Sequence, residues 1–355
     1  MTGVQTCALP IFRFVPYHEL GDIPNVIVDG SPTPSTRLTL SHWPGSPTPV
    51  ELLDDLSAQI AFRALERPAL FEGIEAVSNN HFDQDGLASA YALVCPDEAL
   101  ARRSKVIDVA SAGDFATFRD RDAMRVAIAI AAMEDPDRSP LDAGVFAGDY
   151  PQQCGRLYEE ILPRFGELLD DVSSARALWI DEDAHLQASL DAIASGVIRI
   201  DEYPEIDLAV VTVPDDWAEN AVTRFTSGRS EAVHPAAVNQ STERFRVAVL
   251  KGHQYRVEMR YESWVMYRSR TVLARPDLRP LVPQLQAEEA HGAMWRADAP
   301  GALTPTMRVD GDSDLAPPAF VSLLRRFLAA APAAWDPYPP TTARPRHPST
   351  EGPPV

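Results

Sequence analysis

The residues best suited to chemistry lie in the run HFDQDG, residues 81–86. Its histidine and two aspartates stand at positions i, i+2 and i+4, and a turning chain can bring three side chains at that spacing to one point. Imidazole and carboxylate groups are ligands for Mn²⁺, Mg²⁺ or Zn²⁺. Gly86 lets the backbone turn directly after the last aspartate. The run therefore predicts a divalent-metal site with His81, Asp83 and Asp85 as ligands.

Two other interpretations of this run compete with a catalytic metal site. A calcium loop of the EF-hand type with Gly86 at its sixth position needs a glutamate at the twelfth, where this chain has Ala92. That interpretation fails. A structural turn, in which Asp85 caps the helix that follows, stays open.

Short apolar runs alternate with helical patterns in the first half of the chain. The predicted strands are NVIVDG (25–30), TRLTLSHW (36–43), GIEAVSNN (73–80) and SKVIDVAS (104–111). The predicted helices cover 50–65, 86–94, 123–133 and 155–171. This alternation indicates an α/β fold with a mostly parallel sheet flanked by helices. Ligands bind beyond the carboxyl ends of such strands, which is where GIEAVSNN leads into HFDQDG.

The second half of the chain predicts a smaller α+β domain. Its predicted elements are a helix at 177–195, two strands around Pro204, two strands within 245–267, and helices near 277–290 and 318–331. We expect an α/β metal-site domain over residues 12–174 and an α+β substrate-type domain over 175–331. The proline-rich tail, 332–355, is expected to be disordered. Residues 1–11, MTGVQTCALPI, match a translated sequencing adapter and are left out of the fold.

The extended run HFDQDGLASA, residues 81–90, resembles the first motif of the DHH phosphoesterase superfamily. That motif is a strand, then H-x-D-x-D-G, then a helix that often begins x-x-S-A. The superfamily includes exonucleases of the RecJ type, oligoribonucleases and a class of manganese pyrophosphatases. The resemblance implies two divalent ions, Mn²⁺ or Mg²⁺, that activate water against a phosphoester.

The resemblance also suggests further site residues. The second motif of the superfamily is an aspartate that ends the next strand; Asp108, closing KVID, is the first choice and Asp114 the second. The resemblance implies that His81, Asp83, Asp85 and Asp108 hold metal. In the companion domain of the superfamily an arginine at a strand end grips phosphate, and Arg260 matches it. His234, in a loop with Asn239, is a second candidate substrate contact.

Parts of the superfamily pattern are absent from this sequence. No Asp-His-His run and no glycine-rich G-G-G-H loop occurs. His42, after strand TRLTL, and Asp29, after strand NVIV, are the candidate replacements if their strands run parallel to the one before HFDQDG. We therefore assign catalytic roles to Asp83, Asp85 and His42.

Charge and composition limit the classes of partner. The chain carries 32 basic and 51 acidic residues, a net charge of −19, which disfavours binding to long duplex nucleic acid. No apolar run approaches the about 20 residues that cross a bilayer. Cys95 and Cys154 have no framework spacing, so we expect a cytoplasmic protein. P-loop, G-x-S-x-G and H-E-x-x-H signatures are absent.

The sequence predicts a metal-dependent hydrolase of a phosphoester or phosphoanhydride. The acidic balance favours a small phosphate-containing substrate, either nucleotide-like or a short oligonucleotide. The missing Asp-His-His run keeps an alternative open, in which a degenerate phosphoesterase fold binds a nucleotide or a protein without catalysis. Neither the number of metal ions nor the oligomeric state follows from the sequence.

Overall fold

A computed structural model describes residues 12–223 and 230–338. The predicted adapter segment, residues 1–11, lies outside the described residues, as does the tail from residue 339 onward. Within the described ranges the protein has the predicted class: an α/β unit with a parallel sheet flanked by helices, followed by a second unit built on a mixed sheet.

The strands form two main sheets and two short ribbons. In chain order they are β1 (Arg13–Phe14), β2 (Asn25–Val28), β3 (Thr36–Leu40), β4 (Ala76–Ser78), β5 (Arg199–Tyr203), β6 (Leu208–Val213), β7 (Asn220–Ala221), β8 (Ser230–Glu231), β9 (Arg246–Lys251), β10 (Gln254–Met259), β11 (Arg275–Pro276), β12 (Met294–Ala297), β13 (Thr306–Asp310) and β14 (Ala333–Trp335).

The helices concentrate in the first unit, with short 3-10 turns between several of them. In chain order they are α1 (Ser57–Leu65), α2 (Gln84–Val94), α3 (Pro96–Ala101), α4 (Arg103–Phe115), α5 (Arg121–Glu134), α6 (Tyr150–Ile161), α7 (Phe165–Asp170), α8 (Arg176–Ala194), α9 (Pro235–Ser241), α10 (Val282–Gln286) and α11 (Pro317–Ala330).

The first sheet has the order β1-β4-β2-β3, and its pairs are all parallel. Strand β2 is buried along its whole length, as expected for a parallel strand that helices cover on both faces. Because the strands are parallel, their carboxyl ends meet at one edge. This arrangement places the segments that follow β2, β3 and β4 side by side.

The second sheet has the order β12-β13-β10-β9-β6-β5 and is antiparallel except for the pair β6–β9. Helix α11 packs on one face, where Phe320 and Leu324 bury their side chains against Tyr255 and Trp295. Burial alternates along strand β10, whose odd-numbered residues Tyr255, Val257 and Met259 are buried. That alternation is the predicted pattern of a half-buried antiparallel strand.

The hydrophobic core of the first unit extends to several segments of the second, although the second sheet also has core clusters of its own. Trp179 and Leu186 of α8 pack with the first unit, as do Ala236 of α9 and Met266 from beyond strand β10. The predicted boundary at residues 174/175 therefore falls directly before a helix that belongs largely to the first core. This extended core fixes the second unit's 261–269 segment against the first.

Several predicted elements have different bounds or types. SKVIDVAS (104–111) is not a strand but part of helix α4, and the helix predicted at 155–171 is broken at Pro163. The strand predicted to run to residue 267 ends at Met259. The first residues of the predicted disordered tail form strand β14, which pairs with β11.

Among the described residues no helix combines the length and the apolar character needed to span a bilayer.

Candidate metal centre

Three parallel strands deliver most of the chemistry-bearing side chains to one place. Asp29 follows β2 directly, His42 follows β3 by two residues, and His81, Asp83 and Asp85 lie where β4 leads into α2. Strand β2 pairs in parallel with both β3 and β4, so these segments leave the same edge of the sheet. Asp29 and His42 are candidate ligands on the condition that their strands run parallel to the strand before HFDQDG. The structure meets that condition.

Helix α4 adds one more carboxylate from the side. Asp114 lies one residue before the end of this helix, and its Oδ2 is 3.5 Å from Nε2 of His42. From the sequence, Asp114 is the second choice, after Asp108, for the aspartate of the second superfamily motif. We call the following residues the carboxylate–histidine cluster: Asp29, His42, His81, Asp83, Asp85 and Asp114.

Asp29 stands at the middle of this cluster and faces both histidines. Its Oδ1 lies 3.4 Å from His42 Nε2 and its Oδ2 lies 3.3 Å from His81 Nε2. Among the described residues, two groups have ligand atoms all within 4.8 Å of one another: Asp29 with His42 and Asp85, and Asp29 with His81 and Asp83. The Asp29 carboxylate therefore belongs to two potential metal positions, one on each oxygen.

Backbone geometry at Asp29 is unusual. Its φ is +44°, in the left-handed region that aspartate and asparagine enter more readily than most residues. Such strained positions concentrate at functional sites. Ser57 Oγ donates a 2.8 Å hydrogen bond to Asp29 Oδ1 and fixes that oxygen toward His42.

The tautomer of His42 is set by the protein. Its Nδ1 lies 2.6 Å from the carbonyl oxygen of Asp55, an atom that can only accept, so Nδ1 carries the proton. Nε2 then presents its lone pair to carboxylate oxygens of Asp29, Asp114 and Asp85 at 3.4, 3.5 and 3.9 Å. This buried Nε2 makes no hydrogen bond within the part of the chain that the structure describes. A lone pair facing oxygens at these distances leaves room for a cation between them.

The aspartates of HFDQDG also organise two helices. Asp83 is the N-cap of α2 and its Oδ1 accepts a 2.8 Å hydrogen bond from the Gly86 amide. Asp85 accepts from the amides of Ser57 and Ala58 at 2.7 and 2.8 Å, at the start of α1. The structural interpretation is thus partly correct: Asp83 rather than Asp85 caps the helix that follows, and Asp85 satisfies amides at the start of α1 instead. A carboxylate oxygen has two lone pairs, so these bonds do not prevent metal binding.

Negative charge is concentrated and buried in the cluster. Burial, together with the charges of Asp29 and Asp83, raises the pKa of Asp85 well above its ordinary value, although the two α1 amides oppose the shift. Burial lowers the pKa of His81, but Asp83 and Asp29 outweigh that effect and raise it to about 10. Both shifts show that the cluster draws positive charge to itself.

Close packing beside Asp85 depends on Gly86. A methyl group there would overlap the Asn79 amide and the Tyr158 hydroxyl, which are joined by a 3.0 Å hydrogen bond. We expect Gly86→Ala to lower the free energy of unfolding by about 2–3 kcal/mol, because the crowded core must shift. Chemical denaturation measures this change. The control Gly144→Ala, at an exposed position where an added methyl group would meet only the carboxylate of the exposed Asp142, should cost about 1 kcal/mol or less.

Comparison with protein-family models matches residues 11–339, nearly the whole chain. The chain belongs to DUF6687, a family of unknown function. Comparison with curated proteins gives no match, and neither does comparison with solved structures. None of these comparisons tests the resemblance of the DUF6687 chain to DHH phosphoesterases, which stays an expectation from its sequence.

Asp108 does not lie where the sequence analysis of this DUF6687 chain placed it. It sits within helix α4, and its carboxylate accepts hydrogen bonds of 2.7–3.0 Å from the Arg119 and Asp120 amides. In the described residues it belongs to neither potential metal group. The prediction that it ends a strand beside HFDQDG is wrong, and Asp114 takes the position at the cluster.

Arg260 is not aimed at the cluster. It is buried, its guanidinium pairs with the Glu262 carboxylate, and Nη1 donates to the Thr242 carbonyl at 3.1 Å. It lines a groove of about 420 Å³ with Glu262 and Arg270, and no residue of the carboxylate–histidine cluster lines that groove. The predicted phosphate contact is corrected to a structural ion pair within the second unit.

His234 also has a structural place in the DUF6687 chain. Its side chain is fully buried at the start of α9, where Nδ1 accepts a 3.1 Å hydrogen bond from the Ala236 amide. Nδ1 therefore lacks a proton in the neutral ring and Nε2 carries one, directed toward Glu182 at 3.6 Å. His234 is a helix cap that substrate cannot reach, so its predicted substrate contact is also corrected.

Tyr261 is a site residue that the sequence analysis did not identify. Its ring lies edge-on to His42 with centroids 5.9 Å apart, although it comes from the second unit. Burial, followed by the charges of Asp114, Asp29, Asp83 and Asp85, raises its hydroxyl pKa well above the ordinary value. The hydroxyl therefore stays protonated beside the cluster. The sequence offered no signal for this, because Tyr261 fitted the buried side of a predicted strand.

Proposed function

We propose that this protein is a divalent-metal-dependent hydrolase of a phosphoester or phosphoanhydride in a small, nucleotide-like substrate or short oligonucleotide. One observation carries the proposal: the Asp29 carboxylate is shared between a His42–Asp85 pair and a His81–Asp83 pair. A carboxylate that faces two ligand sets suits two ions held side by side. Paired ions of this kind act on phosphoryl groups by stabilising the attacking and leaving oxygens together.

The spacing within the cluster supports a cation. Two ligand atoms that each lie about 2.0–2.2 Å from an ion are roughly 3–3.6 Å apart. The His42 Nε2 distances to Asp29 and Asp114, 3.4 and 3.5 Å, fall in that range. The His81 Nε2 distances to Asp83 and Asp29, 3.2 and 3.3 Å, do as well.

The donor set favours a particular class of ion. Four carboxylates supply most of the ligand oxygens, which suits Mn²⁺ and Mg²⁺. The two imidazoles favour Mn²⁺ over Mg²⁺, since Mg²⁺ keeps to oxygen ligands and bound water. We therefore propose Mn²⁺ as the working ion and Mg²⁺ as its weaker substitute.

The residues of the carboxylate–histidine cluster provide two potential sets of metal ligands that share Asp29. Asp29, His42 and Asp85 would hold one ion, with Asp114 beside them, while Asp29, His81 and Asp83 would hold the other. Such ions supply an acidified water and positive charge beside the phosphoryl oxygens.

Access and proton donation come from the remaining groups. His81 has 18% of its side chain exposed and Asp83 has 8%, against 0–1% for the other four members. Substrate therefore approaches from the His81–Asp83 side. We propose Tyr261, whose ring lies edge-on to His42, as the donor of a hydrogen bond to a phosphoryl or leaving oxygen.

The proposal predicts metal-dependent turnover that depends on Asp83. Purified protein stripped with a chelator and reloaded with Mn²⁺ should hydrolyse bis(p-nitrophenyl) phosphate or p-nitrophenyl phosphate. Asp83→Asn should lose about 100-fold or more of that rate, because it removes a ligand at the open position. The matched control Asp108→Asn, which changes a carboxylate bound only to backbone amides, should keep the parental rate.

Two outcomes would count against the proposal. Equal rates for Asp83→Asn and the parent would place catalysis elsewhere. Stoichiometric Mn²⁺ binding without turnover of any phosphoester would favour the non-catalytic alternative, in which the fold binds a nucleotide or a protein partner.

A further inference from the structure

Three tryptophans adjoin the open side of the carboxylate–histidine cluster. Trp43 contacts Trp264 with ring centroids 5.6 Å apart, and Trp264 lies parallel to Trp335 at 6.4 Å with an interplanar angle of 4°. All three are partly exposed. We call Trp43, Trp264 and Trp335 the tryptophan wall. Its members come from both units, so docking of the units assembles it.

Trp43 connects this wall to the metal centre. It follows His42 in the chain, and its ring packs against the ring of His81 with centroids 5.1 Å apart. His81 is the most exposed member of the cluster. Any substrate that reaches the cluster from this side therefore passes Trp43.

The indole nitrogen of Trp43 is a donor with no acceptor. Nε1 is buried yet makes no hydrogen bond within the described ranges, 12–223 and 230–338. Nε1 of Trp264, by contrast, donates to the Gly301 carbonyl at 3.2 Å. Buried donors almost always find a partner in the protein or in ordered water, so an acceptor other than the described protein atoms belongs at this edge of the Trp43 ring.

Two buried arginines of the second unit are already engaged. Arg260 pairs with Glu262, and Arg275, which lies over Trp335, donates to the carbonyls of Ala302 and Leu303 at 2.6 and 2.8 Å. Neither guanidinium offers a second phosphate a binding site. On this side of the metal centre, the part of a substrate beyond the reacting phosphoryl group therefore meets aromatic rings rather than these two guanidinium groups.

We infer that the substrate carries a nucleobase that stacks on Trp43 at the mouth of the metal centre. The inference rests on the proposed function, since it places the reacting phosphoryl group at the cluster. Bases stack on aromatic side chains with a sequence-tolerant gain in affinity. The preferred substrates are then nucleoside phosphates or short oligonucleotides rather than inorganic polyphosphate or sugar phosphates.

A matched pair of ligands tests this inference on the full chain loaded with Mn²⁺. The ligands are non-hydrolysable phosphonate analogues of AMP and of ribose 5-phosphate, which differ only in the base. Calorimetry should show the AMP analogue binding at least about fivefold tighter. Trp43→Leu should remove that difference and leave the weaker ribose phosphonate binding and the metal content unchanged. Trp43→Phe, which keeps an aromatic face, should retain part of it.

A control variant and a separate hydrolysis assay distinguish failure of this inference from failure of the proposed function. Trp217→Leu, in the core against the second sheet, should leave the difference intact. Equal affinities for the two ligands would overturn the inference, as would a difference that survives Trp43→Leu or an AMP analogue that does not bind. Mn²⁺-dependent hydrolysis of a generic phosphodiester would still support the proposed function in each of those cases.

Discussion

Asp29→Asn is expected to abolish binding of both metal ions while leaving the metal-free protein about as stable as the parent. Asp29 contributes one oxygen to each potential metal position, so one neutral amide weakens both. Asparagine tolerates the left-handed backbone at φ +44°, and its oxygen can still accept from Ser57 Oγ. In the metal-free protein the change removes a buried carboxylate that repels Asp85 but attracts protonated His81, and these two effects oppose each other.

Thermal unfolding with and without Mn²⁺ measures both halves of this prediction. For the parent, free Mn²⁺ at about a hundred times its dissociation constant should add roughly 2.7 kcal/mol for each bound ion. Asp29→Asn should lose that gain. Asp108→Asn makes the same chemical change outside the cluster and should keep it. An unchanged Mn²⁺ response in Asp29→Asn would contradict the shared-carboxylate arrangement.

Asp55→Ala is expected to lower the free energy of unfolding by roughly 2–4 kcal/mol and to weaken metal binding at the His42 position. The Asp55 carboxylate accepts hydrogen bonds from the Arg268 and Ser269 amides and from Ser269 Oγ, all in the second unit. Hydrogen bonds to a charged group contribute about 1.5–3 kcal/mol each when buried, and partial exposure lowers that value here. The Asp55 carbonyl also sets the His42 tautomer, so movement of this loop disturbs the metal ligand.

The neighbouring Asp54 provides the control. It pairs with Arg63 at 2.6 Å near the surface, and Asp54→Ala should cost about 1 kcal/mol or less. Chemical denaturation compares the two variants, and Mn²⁺ titration compares their metal affinity. Equal stability of Asp55→Ala and Asp54→Ala would show that Asp55 does not join the two units.

Most residues at the centre of the site could be predicted from the sequence. Some of them lie close together along the chain, and the others follow the ends of strands that pair in parallel. His81, Asp83 and Asp85 lie within five residues, but they do not meet at one point: His81 and Asp83 group with Asp29, whereas Asp85 groups with Asp29 and His42. Asp29 and His42 end apolar runs, and parallel pairing of those runs brings their ends together. The ambiguity between metal ligand and helix cap could not be resolved from sequence, since each aspartate is placed to serve as both.

The choice between Asp108 and Asp114 failed for a different reason. SKVIDVAS is a short apolar run, and such runs do not distinguish a buried strand from a buried helix. In helix α4, Asp108 and Asp114 are six residues apart, about one and two-thirds turns, so they point in different directions. Only the packing of α4 against the neighbouring helices α1, α2 and α5 decides which of them meets His42.

The contributions of the second unit were the least predictable. The sequence predicts one long strand that includes Arg260 and runs on to residue 267, but the strand stops at Met259 and a tight turn follows. That turn buries Arg260 against Glu262 and points Tyr261 toward the first unit. Contacts between segments more than 200 residues apart, such as Tyr261 with His42, depend on how the units dock and leave no local pattern.

Diffraction from crystals soaked in Mn²⁺, recorded with the anomalous signal of manganese, tests the central claim most directly. We predict two anomalous peaks, one on each side of the Asp29 carboxylate and about 3.5–4 Å apart, the first near His42 and Asp85 and the second near His81 and Asp83. The absence of manganese at Asp29 in crystals that bind it elsewhere would contradict the claim.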